Sequence, residues 1–296
     1  MLLLTGATGQ VGRAVLRRLT AAGEPVRCLV RDPRRLGADR VRVQIALGDL
    51  ADPPSFRNAM RGVRTVVHLA AAIRDQPTGS IEELNGIATW RMVQAAERAG
   101  VEHFVFTSAL SATSHDRTRF LRAKALAERA VLGSDVRHTI LAPSIVYASG
   151  DVFMTLLERM AIVLPVMPVS GRGSALYQPI WAEDVADCIV SALAPPAAPG
   201  PRADRRYELA GPQTLSHTDI VELVLRAAGR PRPTVHVPTP IVSRLLRVLE
   251  ILMKSRAPMT WDEAELLEVS MTTAAGTADA MALGVTPRPM AAVLGV

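Results

Sequence analysis

The chain has 296 residues, 49% of them hydrophobic and 21% charged, which suits one large core with a smaller lobe and excludes a disordered chain. The formal charge of +6 comes from scattered arginines, with lysine only at Lys124 and Lys254, so no basic run indicates nucleic-acid binding. Cys28 and Cys188 lie far apart in apolar runs, which is typical of small buried side chains in a reducing compartment. We therefore expect no nucleic-acid partner and no metal site.

The amino terminus and the most apolar stretch do not indicate a membrane protein. The first residues enter a strand pattern directly, without the basic region and long apolar core of a signal peptide. The apolar stretch Val152–Val169 is interrupted by Glu158, Arg159 and two prolines, so it cannot cross a bilayer as one helix. We expect a cytoplasmic protein without a transmembrane segment.

A strand, a glycine-rich turn and a helix open the chain. The apolar run Leu2–Thr5 predicts a buried strand, and the periodic segment Val11–Ala22 predicts a helix that Gly23 ends. Glycines at 6, 9 and 12 give a sharp turn, a close backbone approach to a pyrophosphate and tight helix packing, and the helix N-terminus attracts phosphate. A ligand-free strand–turn–helix is the alternative. The residues that we expect to bind a dinucleotide here are Gly6, Thr8, Gly9, Gln10, Val11 and Gly12.

Arginines follow the second predicted strand, Val26–Val30. At this position an acidic residue binds the 2′-hydroxyl of NAD, whereas an arginine accommodates the 2′-phosphate of NADP. Arg31 stands at the tip, with Arg34 and Arg35 behind it, which favours NADP(H). Asp32 can still hold a ribose hydroxyl, so NAD(H) stays possible, and an ordinary solvated turn is the other alternative.

A carboxylate and an apolar side chain follow the third predicted strand, Val41–Ala46. Asp49 is placed to accept a hydrogen bond from the adenine amino group, and Leu50 is placed to pack on the ring. The sequence therefore predicts the adenine end of the cofactor site here.

The fourth predicted strand, Thr65–Leu69, runs into Ala70 and Ala71, whose small side chains let the backbone pass close under a cofactor. His68 is a possible base, but a histidine inside a buried strand is more often a hydrogen-bonded core residue. A helix is predicted from Ile81 to Ala99.

The alternation of apolar strands and helices is typical of a parallel, doubly wound α/β sheet. The predicted helix after the fourth strand carries Asn85, whose amide we expect to support a nearby strand backbone, and the strand His103–Thr107 follows it. Ligands bind such sheets at the carboxyl ends of the strands. The predicted site residues all lie at that edge.

Several segments together resemble the extended short-chain dehydrogenase/reductases, and most closely their atypical branch, which includes the NADPH-binding accessory subunit of respiratory complex I and its bacterial relatives. They are TGATGQVG, VRDP, GDL, VVHLAA, FLRAKALAE, LAPSIVY and YQPIWAEDVA. The resemblance covers residues 1 to about 190 and implies a Rossmann domain over 1–190, followed by a smaller C-terminal α/β lobe over 191–296 on the substrate side.

The resemblance also implies catalytic positions, and two of them carry unusual residues. Family members use a Tyr-x-x-x-Lys pair on one helix face, in which the lysine binds the nicotinamide ribose and the tyrosine exchanges a proton. The lysine is Lys124, but the tyrosine position is Phe120. Ser108 is near the family serine, although Ala109 aligns with it. The alternative for Lys124 is a solvated lysine paired with Glu128.

Two further segments complete the predicted cofactor side. Thr107 ends the fifth strand, and Pro143 is expected to shape the backbone beside the nicotinamide carboxamide. Tyr147 is the obvious substitute for the missing tyrosine as proton donor, but the resemblance places it in the wall on the substrate side. Ala142 replaces the arginine that relatives often carry.

The C-terminal half predicts a helix over Asp151–Ala161 and a loop near the substrate mouth over Ser170–Ser174. Glu183 and Asp184 are expected to cap and pack a helix. Residues 195–202 predict a surface loop, and Ser216 predicts the cap of a helix over 218–228.

The segment Ile241–Lys254 predicts a basic amphipathic helix. It is either a lid over the substrate pocket or a surface for a peripheral membrane or protein partner.

Two functions remain open from the sequence. One is an NADP(H)-dependent oxidoreductase, reductase-like or epimerase-like, acting on an unknown small carbonyl substrate. The other is an NADPH-binding protein without turnover, structural or redox-sensing, because Phe120 lacks the proton that tyrosine gives.

Overall fold

A computed structural model describes residues 1–194, 205–253 and 260–296 of the chain. The strands are β1 (Leu2–Thr5), β2 (Val26–Val30), β3 (Gln44–Leu47), β4 (Thr65–His68), β5 (His103–Thr107), β6 (His138–Pro143), β7 (Val146–Tyr147), β8 (Met167–Ser170), β9 (Leu176–Tyr177), β10 (Ile180–Trp181), β11 (Arg205–Leu209), β12 (Leu215–Ser216) and β13 (Thr234–Val237).

The helices alternate with the strands in the first half and dominate the second. They are α1 (Gln10–Ala21), α2 (Pro53–Arg57), α3 (Ala88–Arg98), α4 (Arg119–Leu132), α5 (Val152–Val163), α6 (Ala182–Leu193), α7 (His217–Ala227), α8 (Thr239–Met253), α9 (Trp261–Leu266), α10 (Ala278–Ala282) and α11 (Met290–Leu294). A π-helical turn, Glu83–Ile87, leads directly into α3, and 3₁₀ turns span Pro33–Val41 and Asn58–Met60.

The central sheet has the strand order β11-β6-β5-β4-β1-β2-β3, and all of its pairs are parallel. From β1 the chain adds β2 and β3 on one side, and then β4, β5 and β6 on the other side, so the strand order reverses between β1 and β4. In open parallel sheets the crevice at such a reversal, beyond the carboxyl ends of the strands, is where ligands bind. The predicted doubly wound α/β fold is confirmed.

Apolar side chains cover both faces of the sheet, which is why its strands read as continuous apolar runs. On one face α1 and α6 pack through residues such as Leu16 and Ile189. On the other face α2, α3 and α4 pack through residues such as Phe56, Met92 and Val131. The carboxyl edge stays between these two layers.

The smaller C-terminal lobe packs through a third apolar cluster, which is built by α5, α7 and the segments around them and also includes Ala109, Leu110 and Leu121. It is also joined to the large domain, because β11 pairs with β6 at the edge of the central sheet. The domain division at residue 190 stays a prediction.

Some element predictions need correction. The third strand begins at Gln44, because Pro33–Val41 forms 3₁₀ turns instead of leading straight into a strand. Helix α6 has Trp181 as its N-cap without a side-chain hydrogen bond, so the cap predicted from the acidic pair is wrong. Ser216 does cap α7, in a capping box with Asp219. The predicted loop 195–202 and the side chain of Lys254 lie outside the described residues.

Helix α8 packs against α9 at least in part. The Arg247 guanidinium lies 4.6 Å from the ring centroid of Trp261, and Leu246 is buried. Part of the predicted basic face is therefore engaged within the molecule, while a partner for this helix stays a prediction.

Candidate functional site

The β1–α1 turn is too tight for side chains at two of its glycines. Gly6 has φ +71°, and a Cβ there would lie 2.6 Å from the backbone nitrogen of Ala70. A Cβ at Gly12 would lie 2.0 Å from the Gly6 carbonyl oxygen. Because Gly6 and Gly12 have no side chain, the turn can lie directly against the segment after β4 and against the first turn of α1, closer than any other residue allows.

The turn ends in a helix N-terminus that is free to bind an anion. Gly9 is the N-cap of α1 and offers no side chain, and no acidic residue stands in the first turn. The Gly9 N–H donates to the Gly6 carbonyl at 3.0 Å, whereas the first N–H groups of a helix have no partner inside it. Thr8, Gln10 and Val11 lie partly or fully exposed around this end. The arrangement fits a dinucleotide pyrophosphate.

A chain of hydrogen bonds locks the ends of β1 and β4 beneath the turn. The Ala70 N–H donates to Thr5 Oγ1 (3.3 Å), which contacts His68 Nδ1 (2.8 Å). His68 Nε2 contacts Thr89 Oγ1 (3.1 Å), and the Thr89 hydroxyl donates to the Asn85 carbonyl (2.6 Å). Because the Thr89 hydroxyl donates its hydrogen to the Asn85 carbonyl, it can only accept from His68. The imidazole hydrogen of His68 therefore lies on Nε2.

These hydrogen bonds make His68 a neutral core residue, as predicted. Its side chain is fully buried, and burial, with the charge of Lys124, lowers its pKa to about 3. The predicted role of Asn85 is also confirmed, since its amide donates to and accepts from the backbone of Ala72 just after β4 (2.7 and 3.1 Å). Ala70 and Ala71 lie between these anchors at the carboxyl edge.

The tip of β2 presents arginines to solvent. Arg31, Arg34 and Arg35 are exposed, and the Arg35 carbonyl accepts a hydrogen bond from the Arg13 guanidinium (3.4 Å). The Asp32 carboxylate accepts from the Arg34 N–H (2.9 Å), so it serves as the cap of the following 3₁₀ turn. The arginines are thus available for a phosphate, while the acidic residue is engaged with its own turn.

The adenine end of the predicted site is ordered by its own hydrogen bonds. Asp49 Oδ1 accepts from the Ala51 N–H (3.0 Å), and Ser55 Oγ contacts the Asp49 backbone. Leu50 packs partly against the core beside α2 and α3. Both side chains stay partly exposed.

Lys124 is a residue of α4, and its ammonium lies at the carboxyl end of β5. It is only 3% exposed, its ammonium donates to the Thr107 carbonyl (2.7 Å), and Nζ lies 5.0 Å and 5.8 Å from the ring centroids of Phe106 and Phe120. Burial lowers the pKa of Lys124 to about 8, although the Glu128 carboxylate acts in the opposite direction. The alternative of a solvated lysine is therefore wrong.

Thr107, whose carbonyl accepts from Lys124, and two other residues carry buried hydroxyl groups without partners in the described part of the chain. Thr107 Oγ1, Ser108 Oγ and Tyr147 OH are buried, and none of them has a hydrogen-bond partner among the described residues. Buried polar atoms are nearly always paired in folded proteins, so such atoms mark places where a ligand or water completes the set. Thr107 and Ser108 adjoin the predicted nicotinamide side, which fits a ribose or substrate oxygen there.

The positions that carry the family serine and tyrosine form an apolar wall here. Ala109 is buried in the cluster of the C-terminal lobe, Phe120 packs against that cluster, and Tyr147 belongs to it. Burial, with the charge of Asp184, raises the pKa of Tyr147 well above its usual value. Pro143 ends β6 and its carbonyl accepts from the Leu110 N–H (2.8 Å).

The acidic pair at the start of α6 packs instead of reacting. Glu183 pairs with Arg17 and Arg18 of α1 at 2.6 Å, which lowers its pKa against the opposing effect of burial. Asp184 is 2% exposed and accepts from the Arg288 N–H (2.8 Å).

One cluster near the site was not predicted from the sequence. Arg119, next to Phe120, pairs with Asp75 (3.0 Å), Glu82 (2.7 Å) and Asp262 (3.2 Å). Its partners come from three separate stretches of the chain, so no spacing rule links them. Thr5 was also missed, although a threonine ending the first strand is a polar group that needs a partner.

The fold and the glycine-rich turn define an α/β protein of the dinucleotide-binding class. The family profile described as NAD(P)H-binding matches residues 6–196. The chain belongs to this NAD(P)H-binding family, which confirms the resemblance to atypical short-chain dehydrogenase/reductases.

Several characterised proteins are similar in sequence. A subunit of Arabidopsis thaliana, "NADH dehydrogenase [ubiquinone] 1 alpha subcomplex subunit 9, mitochondrial", is 29% identical over 251 residues, covering 81% of this chain and 61% of its own length. The (4-alkanoyl-5-oxo-2,5-dihydrofuran-3-yl)methyl phosphate reductase of Streptomyces griseus is 31% identical, and the match covers 78% of this chain and 75% of the reductase. The NAD(P)H azoreductase of Xenophilus azovorans is 28% identical with the same coverage. The chain thus spans less than two thirds of the Arabidopsis relative.

Solved structures agree on the fold. A nucleoside-diphosphate-sugar epimerase from Staphylococcus aureus has a TM-score of 0.77 at 18% identity, covering 100% of this chain and 99% of its own. The NADPH-dependent quinone oxidoreductase of Escherichia coli, solved with NADPH, has a TM-score of 0.73 at 17% identity and the same coverage.

Residues 1–194, 205–253 and 260–296 contain neither a candidate membrane-spanning helix nor a candidate metal site. No helix there is both long and apolar enough to cross a bilayer. No group of three or more His, Cys, Asp or Glu side chains in this part is placed to hold a metal ion.

Proposed function

We propose that the chain is an NADPH-dependent reductase that works without the family tyrosine. The observation that carries the proposal is Lys124, a buried cation at the end of β5 beside the unpartnered hydroxyls of Thr107 and Ser108. Burying an ammonium is costly, so the position is best explained by a ligand that uses its remaining donors. Ribose hydroxyls of the cofactor supply such acceptors.

The cofactor would be held along the carboxyl edge of the sheet. The turn from Gly6 to Gly12 takes the pyrophosphate, Arg31 with Arg34 takes the 2′-phosphate, and Asp49 takes the adenine amino group. Lys124 takes the nicotinamide ribose. When bound, NADPH supplies a hydride to the substrate.

The proton that completes the reduction has to come from a group other than Phe120. Lys124 is suited to this task, because a pKa of about 8 leaves its Nζ protonated at neutral pH yet able to release a proton. Water is the other source. The apolar wall of Ala109 and Phe120 suits an apolar acceptor, and the reductases among the relatives support a carbonyl, enone, quinone or azo group.

A second candidate is an NADPH-binding protein without turnover. The observation in its favour is that Ala109 and Phe120 remove both hydroxyls with which the family handles a carbonyl. The similarity to a subunit of a mitochondrial NADH dehydrogenase supports a structural or redox-sensing role with protein partners. A cytoplasmic location remains part of this proposal in either case.

Absorbance at 340 nm tests the proposal directly. NADPH oxidation is followed across carbonyls, enones, quinones, azo dyes and nucleotide sugars for the wild type, Lys124→Ala and Phe120→Tyr. We expect the wild type to turn over at least one acceptor and Lys124→Ala to lose that activity while keeping its circular dichroism spectrum. NADPH binding with no turnover by the wild type on any acceptor would instead establish the second candidate.

A further inference from the structure

A cleft of about 750 Å³ opens in the C-terminal lobe, apart from the cofactor edge. Its lining includes Arg117, Arg172, Gly173, His236 and Glu268. Clefts of this size hold small molecules in other proteins. The cleft includes most of the loop that the sequence predicts near the substrate mouth, and the proposed function leaves it unused.

The uncompensated charge of this cleft is positive. Arg117 pairs with Glu268 (3.0 Å), and the same carboxylate also accepts from the Thr239 hydroxyl, so Glu268 is already engaged. Arg172 is exposed and makes no ion pair or hydrogen bond within the described part of the chain. His236 Nε2 contacts Thr218 Oγ1 (3.1 Å) at the other side. An anion would therefore meet a free guanidinium.

The loop around Arg172 packs closely against its own lobe and leaves backbone N–H groups unused. Gly171 and Gly173 flank it with φ of +66° and +64°, and a Cβ at Gly173 would lie 2.1 Å from Thr218 Oγ1. Within the ranges that the structure covers, the N–H groups of Arg172, Ser174 and Ala175 donate to no protein acceptor. Turns that leave successive N–H groups free bind anions well.

The cleft is linked to the proposed reaction site by one segment. Arg117 stands three residues before Phe120, in the connection between β5 and α4. The same connection is tied to the segment that follows the lining residues Leu267 and Glu268, because Ser111 Oγ donates to the Ser270 carbonyl (2.9 Å). A molecule seated in the cleft therefore lies beside the segment that leads to the apolar wall.

We propose that this cleft binds an oxyanion of the substrate, a phosphate or carboxylate, with Arg172 as the main cation. The inference rests on the proposed function and names the substrate class: an anionic group in the cleft, attached to a reducible apolar part at the wall. Arg117 and the free N–H groups of the loop would add to the binding. Charge-assisted hydrogen bonds of this kind are the strong ones.

Calorimetric titration of the full-length protein tests this, with NADPH present at saturation so that the cofactor phosphate sites are filled. The probes are phenyl phosphate, benzoate and the uncharged benzyl alcohol, which separate phosphate, carboxylate and apolar binding. We expect one of the two anions to bind at least tenfold more tightly than benzyl alcohol, about 1.4 kcal/mol or more. Arg172→Gln should lose at least tenfold of that affinity.

Arg226→Gln is the matched control, because Arg226 is an exposed arginine on α7 that does not line the cleft. It should bind the anion as the wild type does. Equal binding of all three probes, or anion binding that is unchanged in Arg172→Gln, overturns the inference. NADPH binding is measured first in the same cell, so a failure of the proposed function is seen separately from a failure of the cleft.

Discussion

Lys124 is a charged side chain whose ammonium lies beside a backbone carbonyl and two aromatic rings. Among the described residues its ammonium has one acceptor, the Thr107 carbonyl, and two aromatic rings nearby. Three donors on the ammonium leave capacity for a ligand. At the scale of single residues this is the feature that separates a cofactor site from an ordinary turn.

Replacing Lys124 by methionine tests that reading. Methionine keeps the length and fills the space, but it removes the donors, so NADPH affinity should fall about tenfold or more. Fluorescence titration measures the dissociation constant. Arg129→Gln, an exposed position on the same helix, should bind as the wild type does. Unchanged affinity in Lys124→Met contradicts the role given to the lysine.

His68 makes the protein sensitive to acid. Its pKa is about 3 in the folded protein and 6.5 without the fold, so the unfolded chain binds more protons between those values. Stability should therefore fall as the pH drops from 6.5 toward 3.

Urea unfolding at pH 7.5 and pH 5 measures this contribution. His68→Gln should be less stable at pH 7.5, because glutamine cannot match both threonine contacts, and should lose less on acidification than the wild type. An equal loss in both proteins means that His68 is not the group that titrates.

At the scale of elements, the β1–α1 turn is the unit that both the fold and the ligand require. Two of its glycines leave different amounts of room for a side chain: a Cβ at Gly12 would lie 2.0 Å from the Gly6 oxygen, whereas one at Gly9 would lie 3.3 Å from it. Backbone atoms cannot move away as a flexible side chain can.

Gly12→Ala and Gly9→Ala therefore separate folding from binding. The first should lower the melting temperature by several degrees, an effect of about 1 kcal/mol or more, and abolish NADPH binding. The second should keep the melting temperature within a degree or two but weaken NADPH binding. Differential scanning fluorimetry with and without NADPH reads both. Equal destabilisation by the two variants contradicts the packing argument.

Strands could be predicted from the sequence where both faces of the sheet are buried, because such strands are continuous apolar runs. β1, β2, β4 and β5 follow that rule, and their bounds match to within one residue. β3 does not, because it is an edge strand and much of it is exposed, with the Leu47 side chain at 64%. Val41, predicted to begin this strand, is 81% exposed at the end of 3₁₀ turns.

At the scale of the whole molecule, two arginines fasten the C-terminal lobe over the carboxyl edge. Arg119 pairs with Asp75, Glu82 and Asp262, and Arg74 pairs with Glu263 (2.8 Å). The Arg119 hydrogen bond lowers the pKa of Glu82 to about 2, while burial raises that of Asp262 to about 6. The sequence could not reveal this network, since its members are brought together only by the complete fold.

Arg119→Met should loosen this fastening. We expect faster amide hydrogen exchange in α9, at Trp261–Leu266, with little change in α1, because the variant leaves two partly buried carboxylates without their cation. Mass spectrometry follows the exchange. Arg129→Met, on the exposed face of α4, is the control. Equal exchange of α9 in both variants contradicts the proposed fastening.

The whole account depends on the carboxyl edge binding a phosphorylated dinucleotide, and one titration tests that most directly. The dissociation constants of NADPH and NADH are measured by calorimetry for the wild type and Arg31→Gln. We expect that the wild type prefers NADPH and that Arg31→Gln loses most of this preference while NADH binding stays the same. Binding of neither nucleotide, or tighter binding of NADH by the wild type, would contradict it.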